Sequence, residues 1–304
     1  TVGATGDYLI HTPIITSYLG SNGSYDFTDM FKYVTEYYNR FDEWGRLDRE
    51  PIEFQVNWHY LKKYLPLNGE ILDNGAGPGK YSMRLANEGY RVTLTDLTPQ
   101  LVEMAKDKAN ELKLEQNFNG FHVADATDLT ILKDNQFDAS LMLGPLYHLQ
   151  EEAERVQAVN ELYRVTKKGG IVFVAFMPRV RHILTSLMYP ENWKPNNQMD
   201  NIDQFSQSGR FNHKEEGRFT GAYYFNIEEI KPFMEANGFE SLDLIGSNIG
   251  TLLSGDNWSY WRDKGSSEFE KVIRLLTEKA NDPHVLGNSS HLLYIGKKIS
   301  RTEI

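Results

Sequence analysis

The fold of this chain is decided by the stretch ILDNGAGPGK at residues 71–80, together with VTLTD at residues 92–96. Each stretch begins with residues that are typical of a buried strand. The first stretch then continues into a glycine-rich turn and the start of a helix. Glycine tolerates positive φ and lets the backbone approach a ligand closely, while a helix N-terminus offers unpaired N–H groups. The pattern therefore predicts a strand, turn and helix that cradle a nucleoside cofactor.

The spacing of the glycines in this turn distinguishes between two kinds of cofactor. Asp96 ends the second strand about twenty residues after the turn, where a carboxylate is placed to accept hydrogen bonds from ribose hydroxyls. The dinucleotide fingerprint is G-x-G-x-x-G, whereas Gly75, Gly77 and Gly79 form G-x-G-x-G, with Lys80 where the third glycine of the fingerprint would fall. This difference weakens the interpretation as a nicotinamide oxidoreductase, which we keep as an alternative.

An acidic residue, Asp73, lies two residues before the first glycine and completes the pattern D-x-G-x-G-x-G. This pattern closely resembles motif I of the class I S-adenosylmethionine-dependent methyltransferases. The resemblance implies S-adenosyl-L-methionine as the cofactor and assigns its contacts in order along the chain. They are Asp73, Gly75, Ala76, Gly77 and Gly79 around the methionine part, Asp96 on the ribose, Leu97 and Ala126 beside the adenine, Asp125 on the adenine amino group, and Leu143 at the end of the fourth strand.

Two of these aspartates have alternative roles. Asp96 could instead cap the helix that begins near Pro99. For the adenine contact, Asp128 competes with Asp125, and either could be a solvated aspartate of a turn.

The order of elements predicts the fold class. After helices at 26–41 and 51–64, strands and helices alternate regularly. The strands are expected at 70–74, 91–95, 120–123, 139–143 and 171–176, and the helices at 80–88, 99–112 and 151–166, the last ended by residues 167–170, KKGG. A helix at 225–237, strands at 240–245 and 292–296 and a helix near 266–279 complete the series. The organisation resembles the methyltransferase sheet, a doubly wound, Rossmann-like α/β sheet with seven mostly parallel strands and an antiparallel last strand.

The alternation lapses for roughly fifty residues after Pro178, and a stretch of that length in a compact domain is usually a functional insertion. We therefore divide the chain into an N-terminal helical segment covering the cofactor, residues 1–65, and a methyltransferase domain, residues 66–304. Within that domain, residues 178–224 precede the sixth strand and are expected to cover the substrate. This insertion contains candidate residues for recognising an anionic or aromatic substrate, or for a mobile surface: Arg179, Arg181, His182, Tyr189 and Trp193.

The run GPLYHL at residues 144–149 follows the fourth strand, at the edge where α/β sheets bind ligands. It resembles a subgroup of small methyltransferases in which this segment borders the sulfonium and the incoming nucleophile. His148 is the candidate general base, since an imidazole titrates near neutrality, and Tyr147 is similarly placed. The alternatives are a histidine that only packs against the next helix, or transfer by in-line positioning without a base.

Before the sheet, Tyr38 and Arg46 lie in a run that combines aromatic and charged residues. In related sequences a leading helix closes over the cofactor, so these two side chains are candidates for contacting the methionine carboxylate or the substrate. The alternative is a solvated surface helix whose aromatic rings pack on the sheet.

Composition limits the classes of function. The 304 residues contain no cysteine, which excludes disulfides, thiolate metal sites and cysteine nucleophiles. The histidines are scattered, so no metal site is expected. The net charge of −10 disfavours a broad nucleic-acid surface. No apolar run is long enough for a membrane span and no signal segment is evident, so we expect a cytoplasmic protein without a membrane partner. The oligomeric state stays open.

Together these observations predict an enzyme that moves a methyl group from S-adenosylmethionine to a heteroatom of a small-molecule acceptor and releases S-adenosylhomocysteine. One alternative is an RNA or protein methyltransferase, which would need an open or basic groove. Another is a non-catalytic protein that only binds the cofactor.

Overall fold

The structure, a computed structural model, describes Trp44 and residues 51–212, 221–248 and 255–301. The helix predicted at 26–41 and the candidate residues Tyr38 and Arg46 lie outside these ranges.

A seven-stranded sheet forms the centre of the described chain, with the strand order β3-β2-β1-β4-β5-β9-β8. Its strands are β1 (Glu70–Asn74), β2 (Arg91–Asp96), β3 (Phe118–Val123), β4 (Phe137–Met142), β5 (Thr166–Phe176), β8 (Phe239–Gly246) and β9 (Leu292–Lys298). The first five strands pair in parallel, whereas β9 is antiparallel to both β5 and β8. The predicted doubly wound sheet with an antiparallel last strand is confirmed.

Helices cover both faces of this sheet. They are α1 (Pro51–Tyr64), α2 (Lys80–Asn87), α3 (Pro99–Glu111), α4 (Pro145–His148), α5 (Glu152–Val165), α8 (Ile227–Ala236), α9 (Gly255–Asp263), α10 (Ser266–Glu278) and α11 (Pro283–Asn288). One core cluster joins α1, α2 and α3 to the sheet, and a second joins α5 and α8 to it. Val56 and Leu61 of α1 are fully or almost fully buried in the first cluster, so α1 packs as part of the sheet's own core.

The insertion after β5 is folded into regular elements. It contains α6 (Arg179–Met188), α7 (Met199–Ser208) and a small hairpin of β6 (Arg210–Asn212) and β7 (Gly221–Tyr223). An aromatic cluster of its own, which includes Phe205, Phe211 and Tyr224, packs these elements together. Because the insertion begins after the last residue of β5, it lies at the carboxyl edge of the parallel strands.

One boundary prediction is wrong. We expected KKGG at 167–170 to end the helix, but α5 ends at Val165 and β5 begins at Thr166. Thr166 Oγ1 donates to the carbonyl oxygen of Leu162 at 2.7 Å, which closes the last turn of the helix. Lys167 then pairs with Asp138 of the neighbouring β4 at 2.8 Å. The basic residues therefore fix the start of a strand rather than cap a helix.

Within the described ranges, none of the helices combines the length and the hydropathy needed to cross a lipid bilayer.

Candidate functional site

The glycine turn between β1 and α2 has the backbone that its sequence predicts. Gly75, Gly77 and Gly79 have φ of +68°, +56° and +82°, a region that residues with a Cβ rarely adopt. The N–H groups of Gly75 and Ala76 donate to the carbonyl oxygen of Thr95 at 2.8 and 3.0 Å. These bonds tie the turn to the end of β2 and direct its backbone across the carboxyl edge of the sheet.

The segment after β4 packs directly on this turn. A Cβ at Gly75 would overlap the ring of Pro145, and a Cβ at Gly144 would lie 3.5 Å from the carbonyl oxygen of Gly75 and 3.9 Å from the hydroxyl of Tyr147. The turn and the GPLYHL run, which are about seventy residues apart in sequence, therefore form one surface.

Asp96 is held in position against the glycine turn. Its Oδ2 accepts the N–H of Gly77 at 2.7 Å, and its Oδ1 accepts the N–H of Thr98, the N-cap residue of α3, at 2.8 Å. Asp96 therefore bonds both the glycine turn and the N-cap residue of α3, while its ribose role and its helix-capping role both stay predictions. One carboxylate fixes both the turn and the beginning of α3, at the position predicted for the ribose contact.

Asp73 is a buried carboxylate beneath the turn, with 2 % of its surface exposed. Its Oδ2 accepts a hydrogen bond from the hydroxyl of Ser82 in α2 at 2.6 Å. Burial raises the pKa of Asp73 to about 6, and the nearby carboxylate of Asp96 adds to the rise. A cationic group that approached Asp73 would stabilise its ionised form.

The two candidate adenine aspartates lie in one turn after β3. Oδ1 of Asp125 accepts the N–H and the hydroxyl of Thr127 at 2.8 and 2.9 Å. Asp128 is exposed, and hydrogen bonds from Thr130 lower its pKa. Asp125 and Ala126 are better shielded than Asp128, and Ala126 is buried. The assignment of the adenine contact to Asp125 stays a prediction.

Tyr147 and His148 lie in α4 beside the turn. Their ring centroids are 5.0 Å apart, and the Tyr147 hydroxyl donates to the carbonyl oxygen of Leu143 at 3.4 Å. Burial, followed by the charge of His291, lowers the pKa of His148 to about 3. This imidazole is therefore neutral at physiological pH and binds a proton weakly, in contrast to our premise that it titrates near neutrality.

The insertion uses most of its candidate residues for its own packing. Arg179 donates to the carbonyl oxygens of Tyr224 and Ser206, both at 3.1 Å. The ring of His182 lies among four aromatic rings with centroid distances of 4.5–4.8 Å, including that of Trp193. Arg181 is also buried, whereas Tyr189 is 56 % exposed. These contacts give Arg179, His182 and Trp193 a structural role in the insertion.

Residues that the sequence reading missed join the insertion and α1 to the site. Gln150 exchanges two hydrogen bonds with Asn212 of β6, at 2.6 and 3.1 Å. Nδ1 of His291, the residue before β9, lies 3.3 Å from Oε2 of Glu53 in α1. No short motif contains these pairs, because each one is formed by segments far apart in the chain.

Residues 72–174 match the sequence profile of the family described as Methyltransferase domain. The match extends from β1 to β5 and contains the glycine turn, Asp96 and the segment after β4. The chain carries a class I methyltransferase domain. S-Adenosylmethionine is the cofactor of this class. The site combines a turn with three glycines at positive φ, a carboxylate at the end of β2 and a buried carboxylate, Asp73, below the turn.

Two curated relatives resemble this domain. A ubiquinone biosynthesis O-methyltransferase of Xylella fastidiosa is 32% identical over 125 residues, which are 41% of this chain and 48% of that protein. A tRNA (carboxymethyluridine(34)-5-O)-methyltransferase of Arabidopsis thaliana is 34% identical over 110 residues, which are 36% of this chain and 24% of that protein. The chain thus spans half or less of the length of these relatives.

A solved structure shares the fold over a greater length. The 1,6-didemethyltoxoflavin-N1-methyltransferase of Burkholderia thailandensis, which was solved with 1,6-didemethyltoxoflavin and S-adenosylhomocysteine bound, superposes with a TM-score of 0.54 at 14% identity. The likeness covers 94% of each chain. At this identity it confirms the fold alone.

Proposed function

We propose that this protein is an enzyme that transfers a methyl group from S-adenosylmethionine to a heteroatom of a small-molecule acceptor. The observation that carries the proposal is the meeting of three parts at one edge of the sheet: the glycine turn, the carboxylate of Asp96 and the α4 segment. The curated relatives include enzymes named for ubiquinone biosynthesis and for tRNA, so they do not decide the class of acceptor.

The cofactor supplies an electrophilic methyl carbon bound to a positively charged sulfur. Asp96 would accept hydrogen bonds from the ribose hydroxyls, and Asp125 with Leu97 and Ala126 would hold the adenine. The backbone of Gly75 and Gly77 would face the methionine part, and Asp73 would supply negative charge below it. These contacts fix the direction of the methyl group, and orientation of this kind accounts for a large part of the rate in a displacement reaction.

Trp44, which precedes α1 in the sequence, contacts the residue that follows the glycine turn. Lys80, the residue after Gly79, donates a hydrogen bond to the carbonyl oxygen of Trp44 at 3.2 Å. Trp44 is two residues before Arg46 in the sequence, so this contact supports our proposal that the N-terminal segment, with Arg46 and Tyr38, covers the cofactor.

The position of the insertion favours a small acceptor. Its hairpin is attached to the segment after β4 by the paired amides of Gln150 and Asn212 and by an ion pair of Arg210 with Glu151 at 2.8 Å. The guanidinium of Arg155 also stacks on the ring of Tyr223, 3.5 Å from its centroid. These contacts hold the hairpin against residues 150–155, which supports our proposal that the insertion covers a small acceptor. The acidic chain also offers little attraction for a polymer of phosphates.

The neutral state of His148 bears on the mechanism. Its pKa of about 3 makes it a weak proton acceptor, so it acts more readily by orienting an acceptor through a hydrogen bond. We therefore expect His148→Ala to leave cofactor affinity unchanged and to slow turnover, which a comparison of binding with single-turnover rates would show.

The function is tested first by calorimetric titration of the purified protein with S-adenosylhomocysteine and, in parallel, with NAD. Micromolar binding of the former alone supports the proposal. Transfer of a radiolabelled methyl group is then compared between a panel of phenols, amines and heterocycles and bulk tRNA. If tRNA becomes labelled and no small molecule does, the acceptor is RNA and our assignment of a small acceptor is wrong. If the folded protein binds neither cofactor, the methyltransferase function is refuted.

A further inference from the structure

A carboxylate and an imidazole form a pair beside the proposed methyl-transfer site. Oε2 of Glu53 lies 3.3 Å from Nδ1 of His291 and accepts a hydrogen bond from the side-chain amide of Asn248 at 3.1 Å. The side chain of Glu53 is 8% exposed and that of His291 is 21% exposed. The carboxylate is therefore the buried, fixed member of the pair, and the imidazole is its accessible member.

The topology of the sheet places this pair at the edge that carries the cofactor site. Leu292, the first residue of β9, pairs with Phe176 at the end of β5 and with Gly246 at the end of β8. His291 therefore leaves the sheet at the carboxyl edge of the parallel strands, as the glycine turn does. The parallel strands place at this edge the residues that follow them. Because β9 is antiparallel, it places there the residue that precedes it, His291.

Tyr147 connects the pair to the glycine turn. Its ring centroid lies 5.7 Å from that of His291. On its other side, the Tyr147 hydroxyl approaches Gly144, which in turn faces the carbonyl oxygen of Gly75. Gly144 and Tyr147 therefore lie between the glycine turn and the imidazole of His291.

The two histidines at this edge have different electrostatic surroundings. Burial and, to a smaller extent, the neighbouring His291 disfavour protonation of His148. His291 faces the carboxylate of Glu53, and a carboxylate at one ring nitrogen stabilises the imidazolium that forms when the other nitrogen takes a proton. The titratable side chains that face His291 include Glu53 of α1 and Tyr147 and His148 of α4.

We propose that His291, oriented by Glu53, is the general base that takes the proton from the acceptor. This inference rests on the proposed function and refines it, because it requires an acceptor whose nucleophilic oxygen or nitrogen carries a proton. As the lone pair of that atom bonds to the methyl carbon, the carbon–sulfur bond breaks and its electron pair neutralises the sulfonium. Nε2 of His291 receives the proton and later releases it to water, and S-adenosylhomocysteine leaves.

The proposal can be tested before the acceptor is identified, because S-adenosylmethionine carries a positive charge at sulfur that S-adenosylhomocysteine lacks. Histidine side chains labelled with ¹⁵N are titrated by NMR in each complex, and His291→Gln identifies the resonance. If the imidazole faces the methyl group, its titration midpoint is lower by about 0.5–1.5 pH units in the S-adenosylmethionine complex. The exposed His284 serves as the internal control and should not shift.

The role of Glu53 is tested in the same experiment. Glu53→Gln removes the charge and should lower the His291 midpoint in both complexes, whereas Glu53→Asp should keep part of the effect. If Glu53→Gln does not fold, the comparison of the two ligands in the unmodified protein still decides the position of His291. Equal midpoints in the two complexes would overturn this proposal and leave the methyltransferase function intact, while failure of both ligands to bind would overturn the function itself.

An acceptor found by the screen gives a kinetic test. His291→Gln should lower kcat by about 10²–10⁴-fold with unchanged affinity for S-adenosylhomocysteine, and its residual rate should rise with pH as the acceptor ionises in solution. A variant with normal kcat and an unchanged pH profile would refute the role as a base.

Discussion

A single methyl group added to the glycine turn tests whether the turn and the segment after β4 act as one site. In Gly75→Ala the new Cβ would overlap Cγ and Cδ of Pro145, and the residue would have to keep a φ of +68°. The change therefore adds two costs, one in the backbone and one in packing. Neither can be relieved by rotation of a flexible side chain, because the atoms that the Cβ meets belong to a proline ring.

The matched control is Gly89→Ala. Gly89 also has a positive φ, of +94°, but a Cβ there would meet no atom within 4 Å. A left-handed conformation costs roughly 1–2 kcal/mol for a residue with a Cβ. Overpacking adds about 1–3 kcal/mol. We therefore expect the free energy of unfolding to fall by about 2–5 kcal/mol in Gly75→Ala and by about 1–2 kcal/mol in Gly89→Ala.

Urea unfolding gives the stability of both variants, and calorimetric titration with S-adenosylhomocysteine gives their affinity. Gly75→Ala should lose affinity at least tenfold, because the turn can avoid Pro145 only by moving the backbone that we propose to face the methionine part of the cofactor. Gly89→Ala, at the far end of α2, should bind normally. Equal stability and equal affinity in the two variants would refute the packing of Pro145 on the turn and the assignment of that turn to the cofactor.

Three further changes test other parts of the site. Asp96→Ala should weaken S-adenosylhomocysteine binding by roughly 1–3 kcal/mol in calorimetry, because the ribose loses a charged acceptor and the N–H of Gly77 loses its partner; unchanged affinity in folded protein would remove the ribose role. Since the pKa of Asp73 rises from 3.8 to about 6 on folding, its ionised form is disfavoured in the native state, and stability should fall by roughly 3 kcal/mol as pH rises from about 4 to above 6. Urea unfolding of Asp73→Asn should lack that part of the slope, and an identical slope would contradict it. Gln150→Ala breaks both hydrogen bonds to Asn212 and should raise KM for the acceptor severalfold without changing cofactor affinity, whereas a loss of cofactor affinity would show that the hairpin does more than cover the acceptor.

The elements of the sheet could be predicted because their signals are local. The predicted bounds of α1 and β1 agree with the structure, since a glycine or proline stands next to an apolar run at each boundary. The start of β5 could not be predicted in the same way. The basic residues after Val165 have the composition of a helix end, and only the pairing of Lys167 with Asp138 on another strand shows that they begin a strand.

In the candidate site, too, residues that are close in sequence could be predicted and residues that are far apart could not. Asp96 and the glycine turn are encoded within one stretch of about twenty-five residues, where strand, turn and helix signals agree. Glu53 and His291 come from helices and strands at opposite ends of the described chain, and they meet only because the antiparallel β9 returns to the carboxyl edge. A histidine before an ordinary apolar strand carries no local sign of that meeting. The sequence therefore predicts His148, which lies within a recognisable motif, as the base, although burial lowers its pKa to about 3.

Composition alone does not distinguish residues that bind an acceptor from residues that pack the insertion. Arg179, His182 and Trp193 are residue types that often bind substrates. Here, however, Arg179 donates a hydrogen bond to the carbonyl oxygen of Tyr224, and the rings of His182 and Trp193 pack against each other inside the insertion. Burial lowers the pKa of His182 to about 3, so its ring packs among the aromatic rings as a neutral group. A folded segment of about fifty residues needs a hydrophobic core of its own, and here the aromatic side chains of Phe205, Phe211 and Tyr224 form that core. The paired amides of Gln150, which follows α4, and Asn212 of β6 join the hairpin to the segment after β4, where we propose that the acceptor is recognised.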